Sequence, residues 1–203
     1  MVLKGEVGLR DPVEKYLPDG VTLPAMGDRL ITLQDLVTHR SGLPRMPNNF
    51  RKGMRRGDGE YALSPMYQFL STCTLVSDIG EKFLYSNLGF GLLGEALARR
   101  DGKDLKSVIV DRICDPLRLK DTRFVTNAEQ KAREAGRHDW NLEPVASLKL
   151  DAMKGAGSLR STASDLIRFL QANIRLIETD LWSTLQLSNG RRSCSRRWTC
   201  TRS

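Results

Sequence analysis

Large apolar residues recur at helical spacing in several stretches of the chain, and short segments rich in glycine and proline separate those stretches. The most regular stretch follows Tyr85-Ser86-Asn87, where the apolar residues fall on one side of a helical repeat: Leu88, Leu92, Leu93, Ala96 and Leu97. This pattern predicts a helix with Tyr85 and Asn87 at its entrance. Because these two residues are two positions apart at a turn, their phenol and carboxamide groups can face one cavity.

Taken alone, the tripeptide favours a structural interpretation over a functional one. A buried tyrosine often closes a loop through its hydroxyl group, and Asn87 is a good N-cap residue for the helix that follows. A functional interpretation of the pair therefore depends on the residues that accompany it in the rest of the chain.

The first 45 residues predict two short helices. Asp11 is placed to cap the first of them, with Pro12 at its first position. Thr32 and Asp35 have the spacing of a capping box at the start of the second helix. Gly42 follows that helix, and we expect it to adopt the left-handed conformation that closes a helix.

The chain contains two histidines, and neither is predicted to be catalytic. His39 lies in the last turn of the second predicted helix, where a histidine is more often a structural hydrogen-bonding residue than a catalytic one. The structural interpretation is therefore preferred for His39. His138 lies in a stretch without a clear pattern, and no role is assigned to it.

Three later stretches also predict helices. One begins at Ser64-Pro65, and a second runs from Asp104 to Cys114. The third is capped by Ser161 or Thr162 and carries four large apolar residues: Leu166, Phe169, Leu170 and Ile174. Residues 125–153 show weak signals throughout and predict irregular structure.

Composition places the chain among globular proteins. With 203 residues and 40% apolar content, it is long enough and apolar enough to bury a core. No run approaches about 18 uncharged apolar residues, so no transmembrane helix is predicted. Met1 leads into Lys4-Gly5-Glu6 without an apolar segment, so no secretory signal is predicted. As written, the chain is expected to stay in the cytoplasm.

The net charge of +8 would suggest nucleic-acid binding if it lay on a folded surface. Residues 189–203 carry five arginines and no acidic residue, and subtracting those five charges leaves +3 on the rest of the chain. The excess charge therefore belongs to the end of the chain, which predicts a solvated tail. Phosphate binding by this tail is the second interpretation, and no nucleic-acid partner is predicted.

Neither a metal site nor a cofactor is predicted. The four cysteines are Cys73, Cys114, Cys194 and Cys200, and no two of them form a Cys-x-x-Cys pair. Cys73 and Cys114 lie among apolar residues and are predicted to be small core residues. Gly155-Ala156-Gly157 is too short a glycine motif to indicate a phosphate-binding loop.

Four segments together resemble the serine β-lactamase and penicillin-binding-protein-like superfamily, in its class C β-lactamase, esterase and DD-peptidase branch. The segments occur in the family's order and spacing: Leu9 to Pro18, Ile31 to Pro44, Ile79 to Gly94, and Gly155 to Leu170. The resemblance implies an α+β fold, in which helices flank an antiparallel sheet beside a mostly helical domain. This chain is expected to be mostly α, with residues 1–178 forming the helical portion and most of the sheet missing. Residues 179–203 are expected to form a basic, disordered tail.

The resemblance also implies roles for the tripeptide. Tyr85 and Asn87 match the family's Tyr-x-Asn pair, in which the tyrosine oxygen moves protons to and from a serine nucleophile. The asparagine carboxamide orients the amide of a small-molecule or peptide substrate. Ile79 precedes Gly80 where the family usually has proline. The family usually works in the periplasm or outside the cell.

Two further motifs of the family are missing. No serine in the chain has a lysine three residues later, and there is no Lys-Thr-Gly. Neither histidine is followed by glycine two residues on, which excludes the alternative His-x-Gly motif. The nucleophile helix would precede Leu9, so the chain is expected to begin after its own nucleophile and to end before the third motif.

The resemblance therefore predicts a serine hydrolase, acting on β-lactams, peptides or esters, that is truncated and inactive as given. A free tyrosine has a pKa of about 10, so Tyr85 needs nearby cations to act as a base at neutral pH. The alternative is a non-catalytic module that binds peptides in a groove lined by Tyr85 and Asn87. The sequence leaves the choice between these substrates open.

Overall fold

Most of the α-helices described in this protein are short, and irregular segments join them. The computed structural model describes residues 1–50, 61–145 and 150–189. In chain order the helices are α1 Leu33–Val37, α2 Leu63–Leu70, α3 Asn87–Asp101, α4 Leu105–Ile109, α5 Ala128–Ala132, α6 Ala163–Asn173 and α7 Trp182–Asn189. A π-helical turn, Val110–Cys114, continues α4, and 3-10 turns form at Val2–Lys4, Val13–Tyr16 and Lys154–Ala156.

Strand pairing in the described ranges is limited to isolated bridges. Antiparallel bridges join Pro12 to Thr32 and Arg123 to Arg160, together with two local ones at Met26–Arg29 and His138–Pro144. The described residues are thus mostly helical, which confirms the expectation of a chain that has few strands of its own. In the same ranges, no helix is both long enough and apolar enough to cross a membrane.

Helix α3 is the element around which the larger core forms. Leu88, Leu92 and Ala96 are completely buried on one face of this helix, as its apolar pattern predicts. The helix packs against α1, α4 and the turns Val13–Tyr16 and Lys154–Ala156. Since each buried leucine contributes about 1.5–3 kcal/mol, burial of Leu88 and Leu92 stabilises the helix that has Tyr85 and Asn87 at its entrance.

Helix α1 begins with the capping box that the sequence predicts. The Thr32 hydroxyl accepts a hydrogen bond from the Asp35 N–H (3.2 Å), and the Asp35 carboxylate accepts one from the Thr32 N–H (3.0 Å). Arg29 adds an ion pair to the same carboxylate at 3.0 Å. Gly42 is left-handed, with φ 73°, as predicted, although the helix itself already ends at Val37.

Asp11 does not cap a helix, contrary to the sequence prediction. The turn that follows begins only at Val13, and no side chain caps it. Asp11 instead accepts hydrogen bonds from the Gly8 N–H (2.9 Å), the Lys15 ammonium (3.1 Å) and the Tyr16 hydroxyl. The reason is local geometry, because Pro12 is extended (φ −57°, ψ 136°) and leads the chain away from Asp11 before the turn begins.

A second, smaller core lies between α4, α6 and α7, around Cys114, Leu117 and Leu119. Helix α6 contributes Ala172 to this core and packs Phe169 against it. Helix α7 falls within residues 179–203, for which the sequence predicts a tail, and its Leu185 is buried in the same core. Residues 190–203, with Cys194 and Cys200, lie outside the described residues, so the tail stays a prediction there.

Candidate active site

Tyr85 and Asn87 flank a buried serine at the start of α3. Ser86 is the N-cap of this helix, a role that the structural interpretation of the sequence assigns to Asn87. Its Oγ accepts a hydrogen bond from the Gly89 N–H (2.9 Å) and donates one to the Pro44 carbonyl (2.7 Å). Because both hydrogen-bonding functions of its hydroxyl are used structurally, and only 1% of the residue is exposed, Ser86 is not available as a nucleophile.

The segment 39–46, which follows α1, holds both candidate residues in place. The His39 carbonyl accepts a hydrogen bond from the Leu84 N–H (2.7 Å), and the Arg45 carbonyl accepts one from the Asn87 N–H (3.0 Å). The Asn87 side-chain amide also contacts the Met46 sulfur at 3.3 Å. The Tyr-x-Asn tripeptide is therefore fixed by a loop that is distant in sequence.

Tyr85 itself is half exposed, so the interpretation as a buried, loop-closing tyrosine is wrong. Its ring lies 4.7 Å from the His39 ring, centroid to centroid, and the Arg45 guanidinium lies 5.7 Å from its centroid. The Tyr85 hydroxyl makes no hydrogen bond to any residue in the part of the chain that the structure describes. It is therefore free to donate to, or accept from, a bound molecule.

His39 is a structural hydrogen-bonding residue, as predicted, but the sequence does not predict which residues it contacts. Its Nδ1 accepts a hydrogen bond from the Ser86 N–H at 3.1 Å. Its ring also stacks on Phe90, with centroids 4.5 Å apart. Burial lowers the pKa of His39 below its usual value, which favours the neutral ring that this hydrogen bond requires.

The second histidine and the two described cysteines were not predicted to be catalytic, and they do not join the site. His138 forms an isolated bridge with Pro144 in an exposed loop. Cys73 is half-buried and Cys114 is buried, and burial raises the pKa of both thiols, so they are core residues rather than nucleophiles. Within residues 1–50, 61–145 and 150–189, no three His, Cys, Asp or Glu side chains are arranged to hold a metal ion.

Comparison with known proteins identifies relatives of this chain. The sequence profile described as Beta-lactamase matches residues 1–199. The D-alanyl-D-alanine-carboxypeptidase/endopeptidase AmpH of Escherichia coli strain K12 is 33% identical over 181 residues, which cover 83% of this chain and 43% of that protein. A β-lactamase of the same strain is 28% identical over 196 residues, which cover 94% of this chain and 48% of that protein.

A solved structure shares the fold as well. The β-lactamase/D-alanine carboxypeptidase from Yersinia pestis, in complex with citrate, matches with a TM-score of 0.73 and 28% identity, over 91% of this chain and 52% of that one. The fold is thus β-lactamase/transpeptidase-like, and the described residues supply a mostly helical part of it. The chain spans about half the length of the relatives that it matches.

Proposed function

Since the chain belongs to the β-lactamase family, we propose that it supplies the Tyr-x-Asn part of a serine hydrolase site. In this proposal the complete site hydrolyses a peptide, β-lactam or ester through an acyl-enzyme intermediate. Tyr85 transfers protons between the nucleophile and the leaving group, and Asn87 donates a hydrogen bond that orients the amide of the substrate.

This proposal rests on one observation, which is the contrast between the anchored main chain of the tripeptide and the unpartnered hydroxyl of Tyr85. The main chain on both sides of Tyr85 is anchored to the segment 39–46, while the Tyr85 hydroxyl has no partner among the described residues. A rigid backbone that presents an unpartnered polar group is the arrangement expected of a preorganised site. A merely structural tyrosine would use its hydroxyl to close the loop.

A peptide that ends in D-alanyl-D-alanine is the first substrate class to test. AmpH, the 33% identical relative, is named for activity on such peptides. A β-lactam is the second class, because the 28% identical relative from the same strain is named a β-lactamase. The ester class rests only on the resemblance of the sequence to the esterase branch.

The chain contains no Ser-x-x-Lys motif, and we propose that it binds a peptide or a β-lactam without being acylated. The first experiment is to incubate the chain with a labelled penicillin and to measure its intact mass. We expect no adduct. A stoichiometric adduct would show that the chain carries a nucleophile of its own and would overturn this part of the proposal.

The second experiment measures binding of a peptide ending in D-alanyl-D-alanine by calorimetry. Asn87→Ala should weaken binding about five- to tenfold, since one hydrogen bond contributes about 1 kcal/mol. Asn141→Ala, in an exposed loop, is the matched control and should leave the affinity unchanged. Equal affinity of Asn87→Ala and the unmodified chain would refute the proposed role of Asn87.

Binding without acylation also fits the alternative of a non-catalytic peptide-binding module, which the missing Ser-x-x-Lys motif favours. The two proposals differ in the effect of Tyr85→Phe. A binding groove uses the ring and its hydroxyl only for affinity. In a hydrolase site, the hydroxyl is required for turnover once a nucleophile-bearing polypeptide is supplied, and Tyr85→Phe then removes hydrolysis while the peptide still binds.

A further inference from the structure

One imidazole ring joins the loop that carries Tyr85 to helix α3. The His39 ring stacks on Phe90 of α3, with centroids 4.5 Å apart and planes 26° from parallel. On the loop side it lies 4.7 Å from the Tyr85 ring and 5.3 Å from the Phe83 ring, the latter edge-on. The His39 ring thus contacts both the helix and two aromatic residues of the loop.

The hydrogen bonds of His39 bracket Tyr85 along the chain. The main-chain carbonyl of His39 accepts from the N–H of Leu84, at 2.7 Å, and the Nδ1 atom accepts from the N–H of Ser86, at 3.1 Å. Both neighbours of Tyr85 are therefore fixed by the same residue. Because Nδ1 accepts, the ring is neutral and carries its proton on Nε2.

The backbone of His39 is held in an uncommon conformation. Its φ of 55° lies in the left-handed region, which a non-glycine residue rarely adopts. In this conformation the side chain and the carbonyl of His39 both accept hydrogen bonds from the same loop. A strained residue in contact with a candidate site residue is a reason to look for a functional role.

We infer that His39 is a positioning residue, which in its neutral form fixes the Ser86 N–H and the ring of Tyr85. It thereby places the Tyr85 hydroxyl for the proposed proton transfer. The inference rests on the proposed function for the role of Tyr85. It assigns no contact with substrate to His39. Its consequence is that protonation of one imidazole should release the Tyr85 loop.

Protonation converts Nδ1 from an acceptor into a donor that faces the Ser86 N–H, so two donors would oppose each other. Burial lowers the pKa of His39. Charged side chains also lie near the ring. Arg45 lies over Tyr85 on one side, and the cleft on the other side is lined by three arginines and one acid: Arg10, Arg29, Arg40 and Asp35.

The direction of the pH effect follows from that pKa. A folded-state pKa below the usual histidine value of about 6.5 means that the unfolded chain takes up the proton first. The contribution of His39 is therefore complete above about pH 6.5. It is lost as the pH falls below that value and through the pKa of the folded protein.

Two variants separate the functions of His39. In His39→Asn, the Oδ1 atom replaces Nδ1 as an acceptor at the same position on the side chain, does not titrate, and suits a left-handed backbone. In His39→Phe, an aromatic ring is retained and the acceptor is lost. If His39→Phe fails to fold, the pH dependence of His39→Asn against the unmodified chain still tests the inference.

The measurement is hydrogen exchange of the Ser86 amide by NMR, expressed as a protection factor, together with the ring signals of the four tyrosines. In the unmodified chain we expect the Ser86 protection factor to fall about five- to tenfold below the pKa of His39, which is read from its own ring signals. His39→Asn should abolish this pH dependence. His39→Phe should show low protection at every pH, and in both variants the Tyr85 signals should shift.

Tyr16, Tyr61 and Tyr67 serve as the fold control, because they belong to the core around α2 and α3 or contact it. Their signals should stay in place while those of Tyr85 move. Ser86 protection that is independent of pH and unaffected by His39→Phe would overturn the inference. The readout needs no ligand, so its failure is distinct from a failure of the chain to bind peptide.

Discussion

Gly155 lies directly against the main chain of Phe90. A Cβ atom at position 155 would be 2.5 Å from the Phe90 carbonyl oxygen, closer than real Cβ atoms come to their neighbours. This approach seats the turn Lys154–Ala156 on helix α3 and places Met153, which is completely buried, in the core. The glycine that was too weak a signal for a phosphate loop is thus a packing residue.

Gly155→Ala should therefore destabilise the protein. The Phe90 carbonyl belongs to a helix and cannot move away, so we expect the free energy of unfolding to fall by about 1–3 kcal/mol, as for other overpacked sites. Gly157→Ala is the matched control in the same loop, because a Cβ atom there would meet nothing within 4 Å. Urea unfolding of both variants checks the prediction, and equal stabilities would contradict it.

The sequence predicts those parts of the fold that depend on local contacts. The capping box of Thr32 and Asp35 involves residues three positions apart, and the apolar face of α3 is a property of one helix. Both predictions are confirmed. The choice of Ser86 over Asn87 as the N-cap could have been anticipated only as an alternative, since serine and asparagine cap helices about equally well.

The surroundings of the candidate site depend on contacts between residues far apart in the chain. His39 meets Ser86, and Asn87 meets Met46, only after the segment 39–46 docks on the entrance of α3. No periodicity or spacing in the sequence encodes such a contact. The left-handed backbone of His39 was also unpredictable, because only a few per cent of non-glycine residues adopt a positive φ.

Gly42 gives a second packing prediction, in which backbone strain adds to steric conflict. Its φ is 73°, and a Cβ atom would lie 2.3 Å from the Ser77 carbonyl oxygen. Gly42→Ala should lower the free energy of unfolding by about 3 kcal/mol or more, since strain alone contributes about 1 kcal/mol.

Gly20→Ala isolates the strain for comparison. Gly20 also has a positive φ, of 82°, but a Cβ atom there would meet nothing within 4 Å. We expect a loss of about 1 kcal/mol for this variant, and urea unfolding of Gly42→Ala and Gly20→Ala measures the difference. If Gly42→Ala and Gly20→Ala lower the free energy of unfolding equally, the close approach of Gly42 to the Ser77 carbonyl does not hold the segment 39–46 in place.

Asp11 should make folding sensitive to acid. Hydrogen bonds from the Tyr16 hydroxyl, the Gly8 N–H and the Lys15 ammonium lower the pKa of its carboxyl to about 2. In the unfolded chain the pKa returns to about 3.9. The stabilisation is therefore present at neutral pH, begins to fade as the pH falls towards the unfolded value, and is lost on passing through about 2.

Asp11→Asn removes this titration, so its stability should depend less on pH between about 5 and 2 than that of the unmodified chain. Asp19→Asn is the control, since the Asp19 side chain makes no hydrogen bond or ion pair with the described residues. Urea unfolding at a series of pH values measures the difference. Parallel curves for the Asp11→Asn variant and the unmodified chain would be inconsistent with a role for these three hydrogen bonds.

Helix α6 carries an apolar stripe that the described chain leaves uncovered. Leu166 and Leu170 are 55% and 59% exposed, and Ile174, directly after the last residue of the helix, is 66% exposed, whereas Phe169 on the neighbouring face packs against the smaller core. An amphipathic pattern predicts that a helix has an apolar face, but it does not say which apolar residues find a partner. The stripe and Phe169 are thus alike in sequence and different in environment.

Leu170→Gln should therefore change the free energy of unfolding by less than about 0.5 kcal/mol, as a surface substitution does. Phe169→Ala, which removes packed atoms on the same helix, should cost about 2 kcal/mol or more. Because an exposed apolar stripe promotes association, Leu170→Gln should also raise the concentration at which light scattering detects aggregates. If Leu170→Gln lowers the free energy of unfolding as much as Phe169→Ala does, the stripe is covered in solution. The dependence of that loss on protein concentration would then show whether a second copy of the chain covers it.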